Sequence, residues 1–247
     1  MKPRPDSSGL PIEAGLPALR EALATRGSAV LEAPPGAGKS TVAPLALLEE
    51  PWARGKRLIM LEPRRLAARA IARRLAQSLG EAVGQTVGYR MRLDTRVSRA
   101  TRLEVVTEGV LTRMLQEDPA LEGVAGLLFD EFHERSLQAD LGMALALDAR
   151  AQLAPDLRIL VMSATLDGAA VARLLGGAPV VNVPGRLHPV ETRFAGRGPP
   201  PLPGTEAGGG DPPEKLGARP PRRPRPRQEG AARGSRPGAG RGRRARA

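Results

Sequence analysis

The chain alternates short apolar runs with longer segments in which apolar side chains recur at helical spacing. The short runs have the length of buried strands and lie at 30–33, 58–61, 103–106, 126–130, 159–162 and 180–183. The helical pattern lies between them, at 39–49, 64–79, 109–116, 136–150 and 168–174. This alternation predicts at least six strands connected mainly by helices.

Continuous apolar strands that are separated by helices are typical of a parallel sheet covered on both faces. The pattern therefore predicts an α/β fold with a three-layer, doubly wound and mostly parallel sheet. Ligands of such sheets bind at the carboxyl ends of the strands. The polar residues that follow each predicted strand are thus the first candidates for function.

A glycine-rich loop follows the first predicted strand, where residues 33–40 read A-P-P-G-A-G-K-S. Backbone amides of such a loop surround phosphate oxygens, a lysine adds a positive charge, and the hydroxyl that follows it binds Mg²⁺. Ala33 departs from the usual motif, which has glycine at that position. The chain has only four lysines against 34 arginines, and one of them stands here. The predicted nucleotide-binding residues are Pro35, Gly36, Ala37, Gly38, Lys39, Ser40 and Thr41.

Two acidic residues, Asp130 and Glu131, end the fourth predicted strand. A carboxylate at Asp130 is suited to hold Mg²⁺ opposite Ser40. Glu131 then remains available to orient or deprotonate an attacking water. Lys39, Asp130 and Glu131 are therefore the candidate catalytic residues.

Three shorter polar clusters follow other predicted strands: Glu62 to Arg65, Thr107 to Gly109, and Ser163 to Thr165. Each by itself is more typical of an ordinary loop at a strand end, and Arg64 and Arg65 are equally typical of a solvated helix face. Their common position at one edge of one sheet favours a shared site.

Taken in order, these motifs resemble those of superfamily 2 helicases. The acid segment, which reads D-E-F-H-E-R at 130–135, resembles the DEAH/RHA group of RNA helicases. The resemblance covers about residues 10–194 and implies a RecA-like domain that uses ATP and Mg²⁺.

The resemblance also implies a role for each matching residue. Lys39 would bind the β- and γ-phosphates, Ser40 and Asp130 would hold Mg²⁺, and Glu131 would be the catalytic base. His133 would contact the nucleotide side and, with Ser163 and Thr165, couple nucleotide state to movement of the nucleic acid. The residues implied to contact a single strand of RNA or DNA are Arg64, Arg65, Thr107 and Gly109.

Composition divides the chain into regions. Residues 196–247 contain 11 Pro and 12 Gly, with 13 Lys and Arg against 4 Asp and Glu, and so supply most of the net charge of +12. A segment with so few large apolar residues is predicted to be disordered. We expect a flexible N-terminus at 1–9, a RecA-like domain at 10–184 and a truncated linker at 185–195. That linker would lead to a second RecA-like domain that the chain lacks. Our hypothesis is therefore that the chain is a truncated or frameshifted product with weak activity.

Two other classes are weighed against a helicase. A small kinase with a phosphate loop would lack the clusters at Arg64 and Ser163. A non-enzymatic basic fragment would bind nucleic acid through the tail, although codon bias alone also explains that composition.

The chain has no cysteine, which excludes disulfides, and its two histidines, His133 and His188, form no metal-ligand pattern. With neither a signal peptide nor an apolar run long enough for a membrane span, the expected location is cytoplasmic, with no membrane partner.

Overall fold

The structure, a computed structural model, describes residues 9–164 and 168–184. All of them belong to the unit Met1–Val190. Thr165, His188, residues 1–8 of the N-terminus predicted at 1–9, and the regions predicted at 185–195 and 196–247 lie outside the described residues, so those predictions are not tested. Among the helices that the structure describes, none is long and apolar enough to cross a bilayer.

The described residues form eight strands and six α-helices. In chain order these are α1 (Ile12–Arg26), β1 (Ser28–Glu32), α2 (Ala43–Leu48), β2 (Arg57–Leu61), α3 (Arg65–Ser78), β3 (Val87–Met91), β4 (Asp94–Arg96), β5 (Leu103–Val106), α4 (Glu108–Glu117), β6 (Val124–Phe129), α5 (Leu137–Gln152), β7 (Arg158–Ser163), α6 (Gly168–Leu174) and β8 (Val180–Asn182). Short 3-10 helices lie at Pro51–Ala53 and Phe132–Glu134.

The strands form one sheet in the order β4-β3-β5-β2-β6-β7-β1-β8. The pairs within it are parallel, except that β4 runs antiparallel to β3. The carboxyl ends of the seven parallel strands therefore meet at one edge. This arrangement confirms the predicted α/β fold and places the polar strand ends together.

Alternate residues of the strands pack on opposite faces of the sheet. Along β2, Leu58 and Met60 are buried against a cluster that contains residues of α1, α2 and α3. Ile59 and Leu61 face the other cluster, which contains residues of α4, α5 and α6. The sheet is thus the middle of three layers, and burial on both faces explains why its strands read as unbroken apolar runs.

The six predicted strands lie within two residues of observed strands, but the sequence pattern missed the hairpin of β3 and β4. Polar and small residues interrupt these strands, so they show no apolar run. Arg90 lies within β3, and its Nη2 atom is 3.3 Å from Oε2 of Glu104 on the neighbouring β5. A Cβ atom added to Gly88 would lie 2.4 Å from the carbonyl oxygen of Arg96. Tertiary partners therefore compensate for weak strand-forming residues.

The first helix was also missed, because α1 contains two residues that disfavour helices, Gly15 and Pro17. A Cβ atom added to Gly15 would lie 2.5 Å from Cγ2 of Val183. Glycine at this position therefore permits close packing of α1 against the segment after β8. Packing, rather than helix propensity, accounts for the choice of residue.

The helix predicted at 39–49 is shorter in the structure, since α2 begins at Ala43. Proline has no N–H and disfavours a helical residue before it, so Pro44 is tolerated only in a first turn. Residues 39–42 instead form turns in which the N–H groups of Thr41 and Val42 donate to the carbonyl of Gly38, at 3.2 and 2.8 Å. The loop therefore extends four residues further than predicted.

Candidate functional site

The loop between β1 and α2 is closed by its own backbone. The N–H of Ala37 donates to the carbonyl of Pro34 at 3.2 Å, and the carbonyl of Ala37 accepts from the N–H of Ile12 at 3.0 Å. The N–H of Ala33 donates to the carbonyl of Ser163 at 3.0 Å, which ties the loop to the end of β7. Pro35 and Gly36 are exposed, whereas Ala37 is buried. The loop thus presents its tip to solvent while its base is anchored.

Two glycines of the loop have backbone conformations that other residues rarely adopt, with φ of 78° at Gly36 and 99° at Gly38. A Cβ atom at Gly38 would also lie 2.7 Å from Cγ2 of Ile12, whereas one at Gly36 would meet nothing within 4 Å. Ala33 is not among the described residues with positive φ. This explains why alanine is accepted where the usual motif has glycine.

Lys39 is buried, and its Nζ atom lies 3.1 Å from Oε1 of Glu131. The other carboxylate oxygen, Oε2, is 3.3 Å from Nδ1 of His133. Glu131 reaches this position with a left-handed backbone, φ 48° and ψ 35°, at the turn that follows β6. A lysine of the loop and a carboxylate of the acid segment therefore meet although they are far apart in sequence.

Asp130 lies beside this pair, with 2% of its surface exposed. Its N–H donates to the carbonyl of Leu61 at 3.0 Å, and its Oδ1 accepts from the N–H of Glu131 at 3.0 Å. Burial raises the pKa of Asp130 to about 6, although the neighbouring Ser40 hydroxyl and the charge of Lys39 act to lower it. The structure therefore places Ser40 next to the Asp130 carboxylate.

The chemistry of this corner fits a divalent cation. Among the described residues, Oδ2 of Asp130 is buried and has no hydrogen-bond partner. A buried acceptor without a partner is costly, and a cation bound there would satisfy it. No group of three or more His, Cys, Asp or Glu residues within the described ranges could hold a metal by itself. A cation at Ser40 and Asp130 would therefore take its remaining ligands from water and from phosphate, as Mg²⁺ commonly does.

A second carboxylate, Glu62, belongs to the predicted cluster at 62–65, but the sequence assigned it no role. It directly follows β2 and is 2% exposed, and its Oε1 accepts from the N–H of Arg64 at 3.2 Å. Burial, followed by the charge of Asp130, raises the pKa of Glu62 to about 7. An acidic residue immediately after the apolar run 58–61 was the feature that could have identified it.

The two arginines after β2 lie in more exposed surroundings than Lys39 and Asp130. The side chain of Arg64 is 70% exposed, and its Nη2 atom lies 2.5 Å from Oε1 of Glu134. Arg65 is exposed, and its Nη2 donates to the carbonyl of Arg92 at 3.0 Å, in the turn between β3 and β4. Both guanidinium groups are therefore positioned by neighbouring elements and open to solvent.

Thr107 and Gly109 lie beside these arginines, because β5 is the neighbour of β2 and the N–H of Glu62 donates to the carbonyl of Val106 at 2.9 Å. Thr107 is the N-cap of α4, but its side chain makes no capping hydrogen bond. Gly109 is exposed, and a Cβ added to it would meet nothing within 4 Å. This part of the edge is open.

The predicted residues therefore form two groups along one edge. The loop residues, Asp130, Glu131 and His133 gather around Lys39, while Arg64, Arg65, Thr107 and Gly109 lie on the side of β2 and β5. Ser163 is buried at the end of β7, at the base of the loop, where it pairs in register with Glu32. Thr165 lies outside the described residues.

A mostly parallel sheet with a phosphate loop after β1 and an acid pair after β6 defines a RecA-like domain of the helicase class. The family model of DEAD/DEAH box helicases matches residues 16–174. The chain belongs to this family.

Known proteins agree with this assignment. The chain is 56% identical over 187 residues to the ATP-dependent RNA helicase HrpB of Escherichia coli, which covers 76% of the chain and 23% of that protein. It is 35% identical over 190 residues to the human ATP-dependent RNA helicase DHX30, covering 75% of the chain and 16% of that protein. A crystal structure of E. coli HrpB matches with a TM-score of 0.71 at 56% identity, over 74% of this chain and 23% of that one. The chain thus spans about a quarter of the length of HrpB.

Proposed function

We propose that this domain binds ATP together with Mg²⁺ and a single strand of RNA or DNA. In a protein of the length of its relatives, ATP hydrolysis would then drive strand unwinding. A second RecA-like domain, which residues 185–195 would lead into, would complete that activity. The cytoplasmic location expected from the sequence stays a prediction.

The observation that supports this proposal most directly is the corner formed by Lys39, Glu131 and Asp130. Among the described residues, Oδ2 of Asp130 is a buried acceptor without a partner, which is costly, whereas the buried ammonium group of Lys39 pairs with Glu131. A triphosphate with its metal would satisfy Asp130 through the cation and would offer Lys39 phosphate oxygens in place of Glu131. The backbone N–H groups of Gly36, Gly38, Lys39 and Ser40 would bind the phosphates, with the Ser40 hydroxyl as a second ligand of Mg²⁺.

Hydrolysis requires positioning of a water and stabilisation of charge on the phosphates. The bound cation would supply charge neutralisation. Glu131 is close enough to Lys39 to lie at the terminal phosphate, and from there its carboxylate would orient the water and accept its proton. His133, whose Nδ1 lies 3.3 Å from Oε2 of Glu131 without a hydrogen bond, would lie on the nucleotide side and couple nucleotide state to the nucleic acid.

We assign the second group of residues to the nucleic acid. Exposed arginines at the start of a helix are suited to phosphate contacts, which position a strand without reading its sequence. Arg64 and Arg65 would make these contacts, and Thr107 and Gly109 offer an open hydroxyl and backbone next to them. Ser163, which is buried at the end of β7, and Thr165 would couple the two ligands.

Replacement of Glu131 tests the catalytic assignment. Glu131→Gln should keep binding of a fluorescent ATP analogue with Mg²⁺ and lower the hydrolysis rate by about 10²–10⁴-fold, the usual effect of removing a general base. Glu117→Gln is the matched control, because this exposed carboxylate pairs with Arg113 on α4, away from the candidate site. Equal hydrolysis rates in Glu131→Gln and in the unchanged protein would refute the assignment.

Replacement of Asp130 tests the metal assignment separately. Asp130→Asn should weaken analogue binding in the presence of Mg²⁺ and leave binding in EDTA unchanged. The ratio of the two affinities isolates the metal contribution from any change in the phosphate loop. An unchanged ratio would exclude Asp130 as a ligand.

A further inference from the structure

We propose that Glu134 is a positioning residue that holds Arg64 and competes with nucleic-acid phosphate for it. The same short turn carries Glu131, so this competition would link the nucleic-acid site to the nucleotide site. The inference rests on the proposed function, in which Arg64 contacts nucleic acid.

Two carboxylates hold Arg64 in the structure. Glu134 pairs with its guanidinium group at 2.5 Å, and Glu62 accepts from its backbone N–H at 3.2 Å. A guanidinium group binds phosphate best when two of its N–H groups face the same anion. Because Glu134 already engages Nη2, a phosphate that takes the same N–H of Nη2 must displace that carboxylate.

The turn around Glu134 is short and closed. It consists of the 3-10 helix Phe132–Glu134, and the N–H of Glu134 donates to the carbonyl of Glu131 at 3.0 Å. The residues on either side of the helix, Glu131 and Arg135, have left-handed backbones with φ of 48° and 45°. Such positions are held by their surroundings rather than by local preference. A change in the contacts of Glu131 is therefore expected to move Glu134 as well.

The same turn thus engages two cations assigned to different ligands, Lys39 through Glu131 and Arg64 through Glu134. A cavity of about 100 Å³, lined among others by Pro63, Glu131 and Glu134, lies beside it and provides space for a shift. A phosphate that binds Lys39 competes with Glu131, and the resulting displacement of the turn would release Arg64. By linkage, a nucleic acid that displaces Glu134 would favour nucleotide binding by the same factor.

The test measures binding of a fluorescein-labelled single-stranded oligouridine by anisotropy, at fixed salt, with and without a nonhydrolysable ATP analogue and Mg²⁺. Glu134→Gln should tighten binding without nucleotide by roughly two- to fivefold, the range that an exposed ion pair supports. The gain in affinity caused by nucleotide should shrink in this variant. Unchanged or weaker binding in Glu134→Gln would overturn the proposal.

A charge effect without contact is separated by a double-mutant cycle. Glu134→Gln should have no effect in the background of Arg64→Gln, whereas general removal of a negative charge would act equally in both. Asp140→Asn is the matched control, since it also frees an arginine, Arg135, from a partner at 3.0 Å. A tightening by Asp140→Asn as large as that by Glu134→Gln would also overturn the proposal.

The cycle separates failure of the assignment of Arg64 to nucleic acid from failure of the proposed competition by Glu134. If Arg64→Gln binds the oligonucleotide as well as the unchanged protein does, the assignment of Arg64 to nucleic acid fails and this inference falls with it. If Arg64→Gln weakens binding but Glu134→Gln changes nothing, the proposed function stands and the competition alone is refuted. Circular dichroism and thermal unfolding of each variant verify that the fold is retained.

Discussion

The two halves of the site differ most in the solvent exposure of their charged side chains. On the side of the phosphate loop, the side chain of Lys39 is 5% exposed and Asp130 is 2% exposed. On the side of β2 and β5, the side chain of Arg64 is 70% exposed. Both halves lie at the same sheet edge and are joined by the turn that follows β6.

This contrast determines how each half responds to change. Removal of one partner of a buried charge pair is costly because the other partner remains unsatisfied, while exposed ion pairs contribute little and are screened by salt. The buried half is therefore suited to a specific, tightly held ligand. The exposed half is suited to a ligand that must bind, slide and be released.

The largest effect is expected at Lys39. Lys39→Ala should weaken binding of an ATP analogue by about 100-fold or more, because loss of a buried charge contact is worth about 3–5 kcal/mol. Titration with a fluorescent analogue measures this change. The control is Lys56→Ala, since Lys56 is exposed and lies just before β2. Equal affinities of the two variants would remove the basis for calling 33–40 a phosphate loop.

Gly38 and Gly36 form a matched pair for the loop conformation. Gly38→Ala should lower the free energy of unfolding by about 2–4 kcal/mol, since it combines a positive φ with a steric clash against Ile12. Gly36→Ala has the positive φ alone and should cost about 1 kcal/mol. Urea unfolding followed through Trp52, the single tryptophan, compares them. Equal losses of unfolding free energy in the two variants would show that the clash with Ile12 does not affect stability.

Glu62 should make stability depend on pH. Its pKa rises from 4.5 to about 7 in the folded protein, so the folded state holds its proton more tightly than the unfolded chain does. The contribution is fully present below pH 4.5 and is lost as pH rises through 7, which amounts to about 3 kcal/mol. Glu62→Gln should remove this decline and raise stability at pH 8.

The measurement is the free energy of unfolding between pH 4.5 and 8. Asp130, with a pKa of about 6, should leave a smaller decline in Glu62→Gln. Glu117→Gln, at an exposed carboxylate, should retain the full decline. A wild-type decline that persists undiminished in Glu62→Gln would assign it to other groups.

The smallest effect is expected on the exposed side. Arg65→Gln should weaken binding of a single-stranded oligonucleotide by a few-fold and reduce the dependence of log K on log salt by about 0.7, the value for one phosphate contact on a single strand. Arg113→Gln is the control, since this exposed arginine lies on α4 and pairs with Glu117. A salt slope that does not change in Arg65→Gln would place Arg65 outside the contact surface.

Much of the fold followed from local patterns. Continuous apolar runs predicted six strands within two residues, because strands buried on both faces need apolar side chains at every position. The missed elements are those in which a tertiary contact replaces local preference. Arg90 in β3 depends on Glu104, and Gly15 in α1 depends on the approach of Val183.

The candidate site shows the same division. Residues 33–40 and the pair Asp130 and Glu131 could be found from sequence, because their spacing after apolar runs places them at strand ends. Glu62 also follows an apolar run, but only its burial in the structure distinguishes it from an ordinary carboxylate after a strand. The sequence pattern also placed the start of α2 too early, although Pro44 indicated a later start.

The sequence by itself determined which chemical groups stand at the ends of the parallel strands, because apolar periodicity dictates where each strand stops. Only the tertiary structure decided which of them meet. The order of the sheet places β6 next to β2, so Glu134 reaches Arg64, and one strand away from β1, so Glu131 reaches Lys39. Those pairings join residues far apart in the chain, and only strand order and the left-handed turn at Glu131 bring them into contact.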